Sequence, residues 1–137
     1  MDNRPILLVE DNEDDEAFAL RAFRENAVPN AVIVARDGQE AVDYLFDRNA
    51  AVPALVILDL KIPKIGGLEV LRRLRADART QYVPVVTLSS SAHDSDMRAS
   101  YDLGANSYVC KPLDIDKFTR DMGVLAEYWL RVNIPLS

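Results

Sequence analysis

Cysteine, histidine and tryptophan each occur only once in this chain. The lone cysteine, Cys110, excludes an internal disulfide and suits a reducing compartment. The lone histidine, His93, excludes a histidine-based catalytic triad or a zinc cluster built on histidines; it reads as a loop or cap residue. Basic residues are outnumbered, 16 against 22 acids, and the resulting net charge of −6 argues against a nucleic-acid surface. No apolar run approaches the roughly 20 residues needed to cross a bilayer. The opening Met1-Asp2-Asn3-Arg4-Pro5 lacks the pattern of a secretory signal. A cytoplasmic location is expected, with no membrane and no nucleic acid as partner. Two catalytic motifs are also missing. Gly66-Gly67 is a turn without the Lys-Ser/Thr of a phosphate loop, and no Gly-x-Ser-x-Gly occurs.

What is present is a chain of 137 residues, 49% apolar, enough for one domain with a proper core. Short β-rich runs at residues 6–9, 31–35, 55–58, 85–88 and 107–110 alternate with helical spacing at 13–26, 39–48, 68–76, 94–103 and 114–131. Three of the runs are apolar throughout, the mark of parallel strands covered on both faces. Strict β/α alternation gives an α/β fold: a doubly wound parallel sheet of five βα units with right-handed crossovers. The flavodoxin-like strand order 2-1-3-4-5 is the common arrangement at this size and binds ligands at the carboxyl ends of strands 1 and 3. One domain over 1–137 is expected, with a short C-terminal extension at about 130–137 and no attached output module.

Acids gather at that switch point. Ile6-Leu7-Leu8-Val9 runs into Glu10-Asp11, and Leu55-Val56-Ile57-Leu58 into Asp59. Three carboxylates at adjacent strand ends repel unless a cation sits among them, and Mg²⁺ suits oxygen ligands. Asp59 can offer one oxygen to the metal and keep the other as a nucleophile, as in aspartyl-phosphate chemistry. The backbone carbonyl of Lys61 is close enough in sequence to be a further ligand. Lys111, after the fifth strand, supplies the cation that phosphoryl oxygens require, and Ser89, after the fourth, a hydroxyl donor. Taken singly, each has a plain reading. Asp59 and Glu10-Asp11 could cap helices, Lys111 could be a surface lysine, and Ser89 could belong to a loop. Their joint placement at strand ends is what points to chemistry.

These motifs resemble the receiver domain of two-component response regulators. They are Leu8-Val9-Glu10-Asp11-Asn12, Leu58-Asp59-Leu60-Lys61-Ile62-Pro63 with Gly67, Val83-Pro84-Val85-Val86 and Tyr108-Val109-Cys110-Lys111-Pro112. The resemblance implies that Asp59 accepts a phosphoryl group from a sensor histidine kinase. It implies that Glu10, Asp11, Asp59 and the Lys61 carbonyl hold Mg²⁺, and that Lys111 pairs with the phosphate. Ser89 and Tyr108 would form the switch, with a cis bond before Pro112. The domain would catalyse only its own phosphorylation and slow hydrolysis, and would not be an enzyme in the ordinary sense. One departure is Gly66-Gly67 where the family has Asp-Gly, which removes an acidic helix cap and should loosen the loop.

A narrower resemblance lies in Asp37-Gly38-Gln39-Glu40-Ala41, Ser100-Tyr101-Asp102-Leu103 and the ending Tyr128-Trp129-Leu130 through Ile134-Pro135-Leu136. It is to single-domain regulators paired with phytochrome-type sensor kinases, and so implies a bacteriophytochrome as partner. The last helix also carries surplus apolar residues. Val124, Tyr128, Trp129, Leu130 and Ile134 are the candidates for a homodimer interface; covering the domain's own core is the alternative. Two other functions stay open: a Mg²⁺-dependent phosphohydrolase with an aspartyl-phosphate intermediate, and an interaction module indifferent to phosphorylation. Lys61 argues against the first, because haloacid-dehalogenase-like enzymes carry an acid two residues after the nucleophile. Cys110 is expected to be buried in the fifth strand.

Overall fold

The computed structural model describes residues 3–90 and 94–136. His93 lies outside the described residues. The elements are β1 (Ile6–Val9), α1 (Glu13–Glu25), β2 (Val32–Ala35), α2 (Gly38–Leu45), β3 (Leu55–Asp59), α3 (Gly67–Ala76), β4 (Val85–Ser89), α4 (Asp94–Asp102), β5 (Ser107–Cys110) and α5 (Ile115–Glu127). A π-helical turn, Tyr128–Val132, extends α5. All strands pair in parallel in the order β2-β1-β3-β4-β5, the flavodoxin-like arrangement.

The period of two along each strand divides the core in two. Ile6, Leu8, Leu55, Ile57, Val86 and Leu88 face α1 and α5, where they meet Phe23, Phe118 and Met122. Leu7, Val9, Val56, Leu58 and Val85 face the other way, toward Leu45 of α2 and Val70, Leu71 and Leu74 of α3. Burial on both faces explains why β1 and β3 read as unbroken apolar runs. Each such Leu or Ile contributes about 1.5–3 kcal/mol by leaving water. The edge strands β2 and β5 are only partly covered.

Helix starts follow their caps. Asn12 accepts from the Asp15 amide, Asp37 from that of Glu40, and Asp114 from those of Asp116 and Lys117. The cap of α3 is Gly66, which makes no side-chain bond, as the missing acid implied. The loop is nevertheless tied down. The Gly67 amide donates to the Leu60 carbonyl, and a Cβ on Gly67 would stand 2.6 Å from Leu60 Cα. α4 sits on the sheet differently from the other helices. Ser100, fully buried, lies 2.8 Å from the equally buried Thr87 hydroxyl on β4. The Tyr101 hydroxyl accepts from the Tyr108 amide on the open edge of β5.

Four expectations need correction. Cys110 is exposed, because β5 is an edge strand and Cys110 is its last residue. The Lys111–Pro112 bond is trans, like every peptide bond among the described residues; trans is the intrinsically favoured form. Leu130 is buried in the domain's own core, and Trp129 packs partly buried against it. Leu130 continues the four-residue spacing of the buried Met122 and Ala126, and Trp129 that of Leu125; the Trp129 ring stands edge-on to Tyr128 at 4.9 Å between centroids. Val124, Tyr128 and Ile134 remain exposed.

Candidate functional site

The strand period that builds the α1/α5 core also aims the site. Glu10 continues the parity of Ile6 and Leu8, Asp59 that of Leu55 and Ile57, and Lys111 that of Val109. All three therefore extend one face of the sheet past its carboxyl edge. Their backbones are fixed by continued ladder bonds. The Glu10 amide donates to the Ala35 carbonyl, that of Leu60 to Leu88, and that of Lys111 to Ser89.

The side chains converge on Lys111. Its Nζ lies 2.6 Å from Glu10 Oε1, 2.9 Å from Asp59 Oδ2 and 2.9 Å from Asp15 Oδ2. The second oxygen of Asp59, Oδ1, accepts from the Lys61 amide at 3.0 Å. Lys61 thus lies against Asp59 through its backbone, with its side chain in solvent. Glu10 Oε2 accepts from the Asn12 amide at 3.2 Å. Ser89 ends β4, fully buried, next to Asp59 in the strand order, and Tyr108 is half-buried on β5.

The electrostatics are stressed. Burial pushes Glu10 up to about 7; Lys111 pulls it down and Asp59 pushes it further up. Burial also opposes the charge on Lys111, but its bonds to Glu10, Asp59 and Asp15 outweigh that and hold its pKa above the ordinary lysine value. Glu10 Oε1 shows the remaining deficit. Although close to Lys111, it is buried without a hydrogen bond of good geometry. Glu10, Asp11 and Asp59 each bring a carboxylate oxygen within 4.8 Å of the others, with Asp11 on the solvent side. A buried carboxylate oxygen held by ion pairing alone, inside a trio of hard oxygen ligands, fits a divalent cation.

Comparison with known proteins agrees with this geometry. The profile of the response regulator receiver domain matches residues 6–122. The chain belongs to the response regulator receiver family. It is 38% identical over 131 residues to the probable methanogenesis regulatory protein FilR2 of Methanothrix harundinacea, covering 93% of this chain and 84% of that one. With the response regulator Rcp1 of Synechocystis it shares 31% identity over 137 residues, 96% of this chain and 93% of the other. The crystal structure of the phosphorylated cyanobacterial phytochrome response regulator RcpA superposes with a TM-score of 0.93 at 36% identity, covering 99% of this chain and all of that one. The Mn²⁺-bound form of Rcp1 superposes at 0.91 with 29% identity, over 98% and 99% of the two chains. This receiver is a phospho-accepting response regulator whose partner kind is a histidine kinase.

The structure brings together Glu10, Asp11, Asp59 and Lys111, as the sequence suggested; of Lys61 it sets the amide against Asp59, whereas the sequence singled out the carbonyl. It adds Asp15, which sequence reasoning passed over as one of four acids favouring the amino end of α1. The signal was its place in the helix: four residues before Ala19 and seven before Ala22, it lies on the side of α1 that turns to the core.

Proposed function

We propose that this receiver takes a phosphoryl group on Asp59 from a cytoplasmic sensor histidine kinase of the phytochrome type and relays the signal by changing conformation. The observation that carries the reading is the junction at Asp59. A buried carboxylate has one oxygen on a backbone amide and the other on an ammonium, beside two further acids. In the transfer, an Asp59 oxygen bonds to phosphorus as the P–N bond of phosphohistidine breaks. The imidazole leaves with the electron pair and takes a proton from water. Lys111 donates to the phosphoryl oxygens, and the Lys61 amide steadies the carboxylate. Glu10, Asp11, Asp59 and the Lys61 carbonyl would hold Mg²⁺, which when bound offsets charge on the phosphoryl oxygens. Ser89 then turns toward the phosphoryl group and Tyr108 follows, biasing the α4–β5–α5 surface.

The exposed Val124 and Tyr128, with Ile134 of the tail, support a homodimer through α5 and the C-terminal extension. The domain promotes only its own phosphorylation and slow hydrolysis, and is not an enzyme acting on separate substrates. Incubation with acetyl phosphate and Mg²⁺, followed by intact-mass measurement, tests the reading. A gain of about 80 Da, the mass of one phosphoryl group, is expected in wild type and not in Asp59→Asn. The same gain in both proteins would place the chemistry elsewhere.

A further inference from the structure

The ammonium of Lys111 has three N–H donors and three carboxylates within 2.9 Å. Two of those carboxylates, Glu10 and Asp59, belong to the acidic trio. Asp15 does not. It reaches Lys111 from the first turn of α1, with its side chain 30% accessible. It also stands on the wall of a cleft of about 330 Å³ lined in part by Ser90, Lys111 and Pro112. A phosphoryl group arriving on Asp59 brings added negative charge and strong acceptors. It competes with whatever already holds the nearest ammonium.

We propose that Asp15 is a positioning residue that restrains phosphorylation, by holding Lys111 toward α1 against the pull of the incoming phosphoryl group. The inference rests on Asp59 being the acceptor. In the test reaction the P–O bond of acetyl phosphate breaks as the Asp59 oxygen bonds to phosphorus, and acetate departs with the electron pair. Asp15→Asn keeps the shape of the side chain and removes its charge. At saturating Mg²⁺ its phosphorylation should be about threefold to tenfold faster than wild type, the effect of one unit charge near a partly buried site. Asp15→Glu should restore the slow rate.

A second readout needs no phosphodonor. Released from Asp15, Lys111 presses on Glu10 and Asp59, so Asp15→Asn should bind Mn²⁺ a fewfold more weakly in calorimetric titration. Faster transfer with weaker metal binding is a pairing that general damage to the site would not give, since damage lowers both. In the Lys111→Ala background the Asp15→Asn acceleration should vanish, because Asp15 acts through that ammonium. An Asp15→Asn rate equal to or below wild type overturns the inference while leaving Asp59 as acceptor. So does an acceleration that survives in Lys111→Ala. A wild-type protein that takes up no phosphoryl group sinks the acceptor reading, and this inference with it.

Discussion

Gly38 and Ile65 meet backbone to backbone: a Cβ on Gly38 would stand 1.7 Å from the Ile65 carbonyl oxygen. The Gly38 amide donates to the Pro63 carbonyl at 3.1 Å, and Asp37 pairs with Lys64 at 3.3 Å. Lys64 is held at φ +70°, in the left-handed region. The start of α2 is thus a buttress for the loop that follows Asp59 and carries Lys61.

Gly38→Ala should therefore displace that loop and cost about 1–3 kcal/mol, as overpacking against backbone does. It should also weaken divalent-metal binding, because the Lys61 backbone moves with the loop. Gly66→Ala is the control. Nothing lies within 4 Å of its added Cβ and φ is −67°, so it should cost at most about 1 kcal/mol, for replacing a glycine helix cap by alanine, and leave metal binding unchanged. Urea denaturation and Mn²⁺ titration of the two variants check this; equal behaviour would refute the buttress.

Two glutamates divide the pH dependence. Glu10 is raised from 4.5 to about 7, so its protonated form is favoured by folding. The stability it brings to the metal-free protein is full below pH 4.5 and is lost as pH rises through about 7. A divalent cation should reverse that loss. Glu69 is lowered from 4.5 to about 2 by its bonds to Arg72 and Arg73. Its contribution is full above 4.5 and fades as pH falls toward 2. Urea midpoints measured across pH should lose their upper slope in Glu10→Gln and part of their lower slope in Glu69→Gln.

Arg75 ties α3 to two stretches of chain, and among the described residues no acid pairs with it. Its guanidinium donates to the carbonyls of Gly104, Gln81 and Val83 and to the Asn106 side chain. Arg75→Met should cost about 2–4 kcal/mol by stranding those acceptors. Arg75→Lys should recover little, since an ammonium lacks the planar fork that reaches all of them. Chemical denaturation gives the comparison, and full recovery in the lysine variant would contradict this account.

Exposure separates two roles along the end of α5. Val124 is 66% exposed and Leu130 4%. Val124→Glu should leave the fold intact and move a dimer toward monomer in sedimentation. Leu130→Ala should lower stability by about 2–5 kcal/mol through a core cavity. A dimer unaffected by Val124→Glu would remove this face from the interface.

Much of the architecture was legible because period two and apolar runs are local signals. The same parity that hides Ile6, Leu8, Leu55 and Ile57 carries Glu10 and Asp59 to one side of the sheet edge. What escaped depends on tertiary placement. Cys110 looked buried although the expected strand order put β5 at an edge; spacing does not tell that the last residue of that edge strand lies open to solvent. Leu130 looked like surplus beside Trp129, yet it continues the four-residue spacing of the buried Phe118, Met122 and Ala126. Asp15 was one acid among four until α1 docked and set it against a lysine 96 positions away.

The seat of α4 has a consequence for motion. A helix resting on interlocked methyl groups cannot slide without opening a void. The Thr87–Ser100 contact joins two hydroxyls, and Thr87 also reaches the Ser107 carbonyl at 3.2 Å. Such groups can exchange acceptors in steps, so this seat, unlike an apolar one, holds α4 by bonds that can be remade without opening a void.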